Sequence, residues 1–139
     1  MRIQENRGSK LFLMELIISI FFFSVIVAIC VQLFAGAHMM SVRSKELVQS
    51  VNLASNVAEC YRTWDWKEES WEEIFPEGEW KGETWLIGYD KNWQPGGKQA
   101  QYMLEMGLDS QDELCGAQIT VRDKAADRVI YELTVKRKK

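Results

Sequence analysis

From Leu11 to Phe34 the chain reads LFLMELIISIFFFSVIVAICVQLF, 24 residues in which Glu15 is the one charge. As a helix rising about 1.5 Å per residue, that run is long enough to cross the roughly 30 Å of hydrocarbon in a bilayer. A core helix of a soluble domain is rarely apolar on every face for so long. Beyond it the pattern changes. Leu47, Val51, Ala54, Ala58 and Tyr61 recur at spacings of three and four, with Val48 and Val57 beside them. Arg43, Lys45, Glu46, Glu59 and Arg62 fall mostly on the other positions, so the stretch predicts an amphipathic helix. No proline interrupts before Pro76, and one helix from Leu11 to about Trp64 would be roughly 80 Å long. A coiled-coil stalk is the alternative for its second half, although an apolar repeat of barely two heptads is short for one.

Further on, the period falls to two. Thr84 to Tyr89 predicts a strand, Asp90-Lys91-Asn92 a turn, Pro95-Gly96-Gly97 a loop, and Ala100 to Leu108 a second strand with Tyr102, Leu104, Met106 and Leu108 on one face. Ala117, Ile119 and Val121 alternate with Gln118, Thr120 and Arg122. Val129, Tyr131, Leu133 and Val135 alternate with Ile130, Glu132, Thr134 and Lys136. Strands joined this closely predict an antiparallel β-meander with one face open to the helix, an α+β fold. The organisation is then a basic leader over 1–10, a membrane span over 11–37, an amphipathic continuation over 38–64, and a head over 65–139.

The head opens on an unusual composition. All six tryptophans lie between Trp64 and Trp93, and Asp65 to Glu83 holds eight acidic residues against Lys67 and Lys81. Exposed aromatics could make this a recognition surface. The plainer reading has the indoles covering the edges of a small core and the carboxylates solvated. A net charge of -3, with Lys136-Arg137-Lys138-Lys139 the one basic run, gives no phosphate-binding face, so no nucleic acid is expected. That run reads as a solvated end. His38 is the only histidine, and Cys30, Cys60 and Cys115 have no metal-ligand spacing. No general acid or base, catalytic residue or cofactor is expected, and the chain does not read as an enzyme. Asp109, Asp112 and Glu113 in LDSQDEL are a weak calcium candidate, because they lack the ordered oxygen ligands and glycine of a calcium loop. A polar hairpin turn is the simpler reading of these residues.

Arg2, Arg7 and Lys10 stand against Glu5 in the N-terminal flank, which predicts a cytoplasmic N-terminus and an extracytoplasmic head. Arg43 and Lys45 beyond the span oppose that bias. Glu15 is costly in lipid by a few kcal/mol, so it implies a partner unless it snorkels or is protonated.

A short basic leader followed by LFLMELI resembles the N-terminal signal of type IV pilins and pseudopilins. In that family a prepilin peptidase cuts before the apolar segment, and glutamate stands fifth in the mature chain. The resemblance covers Gly8 to Ile20 and implies cleavage between Lys10 and Leu11, methylation of the new amine, and pairing of Glu15 with the amine of an adjacent subunit. Opposite charges meeting in low dielectric relieve each other's desolvation. The sequence departs from the pattern at Lys10, where glycine is usual and Gly8 lies two residues earlier, and at Phe12, where a small hydroxyl residue is common. A different processing site, Ala35-Gly36-Ala37, resembles that of a secretory signal peptidase, but the apolar run is longer than a signal core and contains Glu15.

The resemblance implies a minor pilin or pseudopilin of a type II secretion, type IV pilus or competence-type filament. Its partners would be membrane lipid, other pilin-like subunits, a prepilin peptidase, and an inner-membrane platform with its assembly ATPase. The alternative is a single-span surface protein that binds a partner through its acidic, tryptophan-rich head and never polymerises. In either case Cys30 serves as a small apolar residue, while Cys60 and Cys115 share one compartment and are a candidate disulfide or two separately buried thiols.

Overall fold

The computed structural model describes residues 2–96, 99–111 and 113–138, with side chains from residue 7 onward. Met1, Gly97, Asp112 and Lys139, which enter the leader, loop, acidic-turn and tail readings, lie outside the described residues. The elements are α1 (Arg2–Thr63), α2 (Glu68–Ile74), β1 (Glu79–Lys81), β2 (Thr84–Tyr89), β3 (Tyr102–Gln111), β4 (Leu114–Asp123) and β5 (Arg128–Lys138). The chain divides into two units, Met1–Arg43 and Ser44–Lys139.

The first unit is helix alone. Every described side chain from residue 7 to 43 is exposed, and the large apolar ones between Leu11 and Met40 range from 41% at Val25 to 83% at Phe34. This stretch is long and apolar enough to cross a membrane, and nothing in the chain's own fold covers it. Ser24 Oγ donates to the Ile20 carbonyl at 2.8 Å, which satisfies its hydroxyl within the helix.

The second unit is an α+β fold. Its five strands pair antiparallel in chain order, β1-β2-β3-β4-β5, as a meander. Period two buries one face: Trp85, Ile87 and Tyr89; Tyr102, Leu104 and Met106; Cys115, Ala117, Ile119 and Val121; and Val135. Against that face α1 sets Ala54, Val57, Ala58 and Tyr61, all buried. The small side chains at 54 and 58 let helix and sheet approach closely. Glu105, Gln118, Thr120, Glu132 and Thr134 occupy the opposite, wetter face.

Two expectations change. The buried stripe of α1 begins at Glu46 and Ser50, not at Leu47 and Val48, which remain 46% and 55% exposed. The sheet supplies partners for Glu46, and Ser50 bonds back to the Glu46 carbonyl, so the helix settles about one position round from where apolarity alone placed it. On β5, Val129 faces outward at 48% exposed, although alternation placed it with Tyr131, Leu133 and Val135. The register shifts at Val121/Arg122, so Val121 pairs with Tyr131 but Arg122 pairs with Val129. That bulge inserts Ile130 and turns Arg128 toward the helix.

The tryptophan-rich segment also holds two elements that periodicity did not show, α2 and β1. Each is too short for a period to emerge, and packing holds both. Trp71 of α2 is fully buried, and Trp80 of β1 stacks on Trp64 at 5.7 Å. The β1–β2 hairpin closes through Gly82 at φ 65°, the positive φ that a two-residue loop needs at its first position. Trp64, Trp71 and Trp85 are buried, Trp80 and Trp93 half-buried, and Trp66 is 41% exposed. Indoles here are mainly core, as the plainer reading held.

Candidate functional site

Gly8, Lys10, Leu11 and Glu15 all lie on α1 and all are exposed. Among the described residues no ion pair or side-chain hydrogen bond involves Glu15. A carboxylate thus stands on a helix whose neighbouring side chains are apolar except for Ser19 one turn on. Alone it can only be solvated at an interface, be protonated, or meet a positive group from outside the chain.

In the head, two polar latches join helix to sheet. At the first, the Tyr102 hydroxyl donates to Glu46 Oε1 at 2.9 Å, and Arg128 Nη2 donates to Glu46 Oε2 at 2.8 Å. Asp123 Oδ2 lies 3.9 Å from the same nitrogen, while its Oδ1 accepts the backbone N–H groups of Ala125 and Ala126. Ser50 Oγ donates to the Glu46 carbonyl at 2.7 Å, so the Ser50 hydroxyl and both Glu46 carboxylate oxygens are satisfied, whereas the buried Tyr61 hydroxyl further along the helix finds no partner among the described residues. Glu46 was recoverable from sequence as a charge at a stripe position, four before Ser50 and eight before Ala54. Arg128 was not, because the bulge decides its face.

The second latch closes the end of α1. Arg137 Nη1 lies 2.7 Å from the Tyr61 carbonyl, 2.9 Å from that of Trp64 and 3.1 Å from that of Arg62. Tyr61 and Arg62 belong to the last turn of α1, at its negative pole, where a guanidinium is favoured, and the Tyr61 carbonyl also accepts the Trp64 N–H at 3.4 Å. The same group sits 4.5 Å over the Trp66 ring. Arg137 is therefore not part of a solvated tail.

Burial pushes the Tyr102 phenol up to about 12, helped by its bond to Glu46 and that carboxylate's charge. Burial, with Glu77 nearby, pushes Tyr89 to about 12 as well. Both values are raised over the unfolded pKa near 10, so the unfolded chain releases these protons first. The stability they contribute is fully present below pH 10 and is lost as pH rises from 10 to 12. Thermal melts of the detergent-solubilised chain should fall most steeply as pH rises from 10 to 12. Tyr102→Phe should make that fall shallower.

Asp109 and Glu113 are exposed at the β3–β4 hairpin, in a hollow that Lys136 and Lys138 also line. Two ammonium groups there compete with any cation, and no group of three or more His, Cys, Asp or Glu side chains among the described residues could hold a metal. Cys30 is exposed on α1. Cys60 is half-buried and Cys115 is buried near Tyr61, both as free thiols, and burial pushes the Cys60 thiol up. Compared with known proteins, the chain matches no family model, no curated protein and no solved structure.

Proposed function

We propose that this chain is a minor pilin-like or pseudopilin-like subunit of a type II secretion, type IV pilus or competence-type filament. The observation that carries the reading is Glu15, five positions into the apolar run and without an intramolecular partner among the described residues. A plain anchor gains nothing from a carboxylate there, whereas a subunit that packs beside another helix can meet an amine in low dielectric. A long N-terminal helix whose second part lies on an antiparallel meander also agrees with pilin architecture. In this reading α1 crosses the cell membrane once, with the N-terminus cytoplasmic and the head extracytoplasmic. A prepilin peptidase cuts before Leu11, and other pilin-like subunits, a membrane platform and its ATPase are the partners. The subunit performs no chemistry; it contributes a packing surface.

The test is the intact mass of the chain from membranes, with identification of what co-purifies. Loss of residues 1–10 together with recovery of other single-span subunits supports the proposal. Loss through Ala37 would overturn it. An uncleaved chain recovered alone would favour the non-polymerising surface protein.

A further inference from the structure

We propose that the head binds one small, uncharged, hydroxylated aromatic ring, of the size of phenol, in a hollow beside the Arg137 latch. The hollow measures about 180 Å3 and lies between the end of α1 and the β3–β4 end of the sheet, where Tyr61, Trp66, Leu108, Ser110 and Cys115 line it. Ser110 pairs with Cys115 and Leu108 with Ala117, so these residues share the face of the sheet that meets the helix. An apolar cavity of about 150 Å3 takes a benzene ring, so the space here suits one ring and little more.

Two features of this place are unexplained by the fold alone. Tyr61 is fully buried, it lines the hollow, and its hydroxyl has no hydrogen-bond partner among the described residues. A buried hydroxyl left so opposes folding, unless something from outside the chain supplies the partner. Trp66 holds a φ of 67°, a left-handed backbone that a bulky residue rarely adopts, yet its ring stays exposed. What the conformation achieves is placement. The indole stands nearly perpendicular to the Tyr61 ring at 5.8 Å, with the Arg137 guanidinium 4.5 Å over it. A ring held on two sides is a ready wall, and a ligand need not order it.

The lining selects the ligand. Tyr61, Trp66, Leu108 and Cys115 offer apolar surface, and aromatic walls favour an aromatic ring over an aliphatic one. The Tyr61 hydroxyl requires a polar atom on that ring, and Ser110 offers a second hydroxyl on the same face. Burial, and after it the neighbouring Cys115, push the Tyr61 phenol up against the pull of Arg137, so at neutral pH the hydroxyl keeps its proton and donates. Charge is disfavoured in both senses. Glu83 and Asp109 stand at the rim and oppose an anion, while Arg137 beside Trp66 opposes a cation. The site goes beyond the filament reading, because it uses no residue of the apolar run. A bound water is the other way to satisfy Tyr61.

The experiment titrates phenol into the full, isotope-labelled chain in detergent micelles and follows the Trp66 indole N–H and the backbone N–H groups of Ser110 and Cys115 by NMR. Saturable shifts at these groups are expected. Tyr61→Phe should weaken phenol binding about fivefold, the worth of one net neutral hydrogen bond, without lowering the urea midpoint. Toluene, which lacks the hydroxyl, should bind wild type and Tyr61→Phe alike; comparing variants in the same micelles cancels partition into detergent. Ser110→Leu, which fills the hollow from an exposed position, should abolish phenol binding. Absence of saturable shifts, the result if water alone completes Tyr61, would overturn the proposal. So would an equal loss of phenol and toluene in Tyr61→Phe, a fall in its urea midpoint, or wild-type binding by Ser110→Leu. Glu15→Ala, which tests the filament reading, should leave phenol binding unchanged, so the two ideas fail separately.

Discussion

Glu15→Ala will leave the chain inserted in the membrane and remove it from filaments. A charged side chain costs about 2.5–3.5 kcal/mol at the centre of a span and less towards its end, where Glu15 stands, so its loss makes the span a somewhat better membrane helix. The wild type tolerates the cost if an amine on a neighbouring subunit offsets it. Without the carboxylate that amine is left unpaired in low dielectric, and removing one partner of a buried charge pair is worth about 3–5 kcal/mol. Each 1.4 kcal/mol is a factor of about ten, so incorporation should drop at least a hundredfold. The measurement is crosslinking to co-purified subunits, normalised to the amount in membranes. Glu15→Asp, which keeps the charge, should retain part of the incorporation. Equal crosslinking of Glu15→Ala and wild type would remove the assembly role.

Trp71→Ala should unfold the head while leaving the anchor in place. Trp71 is fully buried, with ring centroids of Trp64 at 5.2 Å, Phe75 at 5.1 Å and Trp85 at 5.3 Å around it. Phe75 and Trp85 themselves meet at 5.1 Å, and a Cβ added at Gly78 would stand 2.4 Å from the Trp85 indole, so the cluster has no slack on that side. Emptying such a site costs about 3–5 kcal/mol. A unit this small is stable by about 5–15 kcal/mol in all, so the loss takes a large share. Urea titration of the detergent-solubilised chain, followed by the fluorescence of the remaining indoles, should show the midpoint fall by more than half or no folded baseline. Trp71→Phe, which keeps a ring in the site, should fall less. A midpoint unchanged by Trp71→Ala would mean that α2 is not held by this side chain.

Much of this architecture is written in local pattern. The apolar run of α1 needs no tertiary partner to be recognised, because its side chains are exposed along its length and uniform apolarity is itself the signal. β2 spans Thr84–Tyr89 as alternation predicts, and Tyr102, Leu104 and Met106, like Ala117, Ile119 and Val121, face the core as their period requires. Asp90 forms the expected turn by accepting the N–H groups of Asn92 and Gln94. Glu15 stands out for the same reason as the helix around it, as the one charge in a run that is otherwise almost wholly apolar.

What stayed hidden depends on contacts between distant segments. α2 and β1 exist because Trp71 and Trp80 pack on Trp64 and Trp85, and neither is long enough to declare a period of its own. Trp93 holds a φ of 60°, against local preference, where its ring stacks on Tyr102 at 3.9 Å. The sequence pattern placed Glu46 among the charges off the apolar stripe, and its burial needed Tyr102 and Arg128, 56 and 82 residues away. Sequence by itself determined the long helix and the four longer strands and which face of most of them is apolar, because those are properties of neighbours along the chain. Tertiary structure alone decided where the sheet shifts register, which charges turn inward, and that Arg137 closes the helix end. A bulge or an ion pair is settled by two segments meeting, and neither segment carries the answer alone.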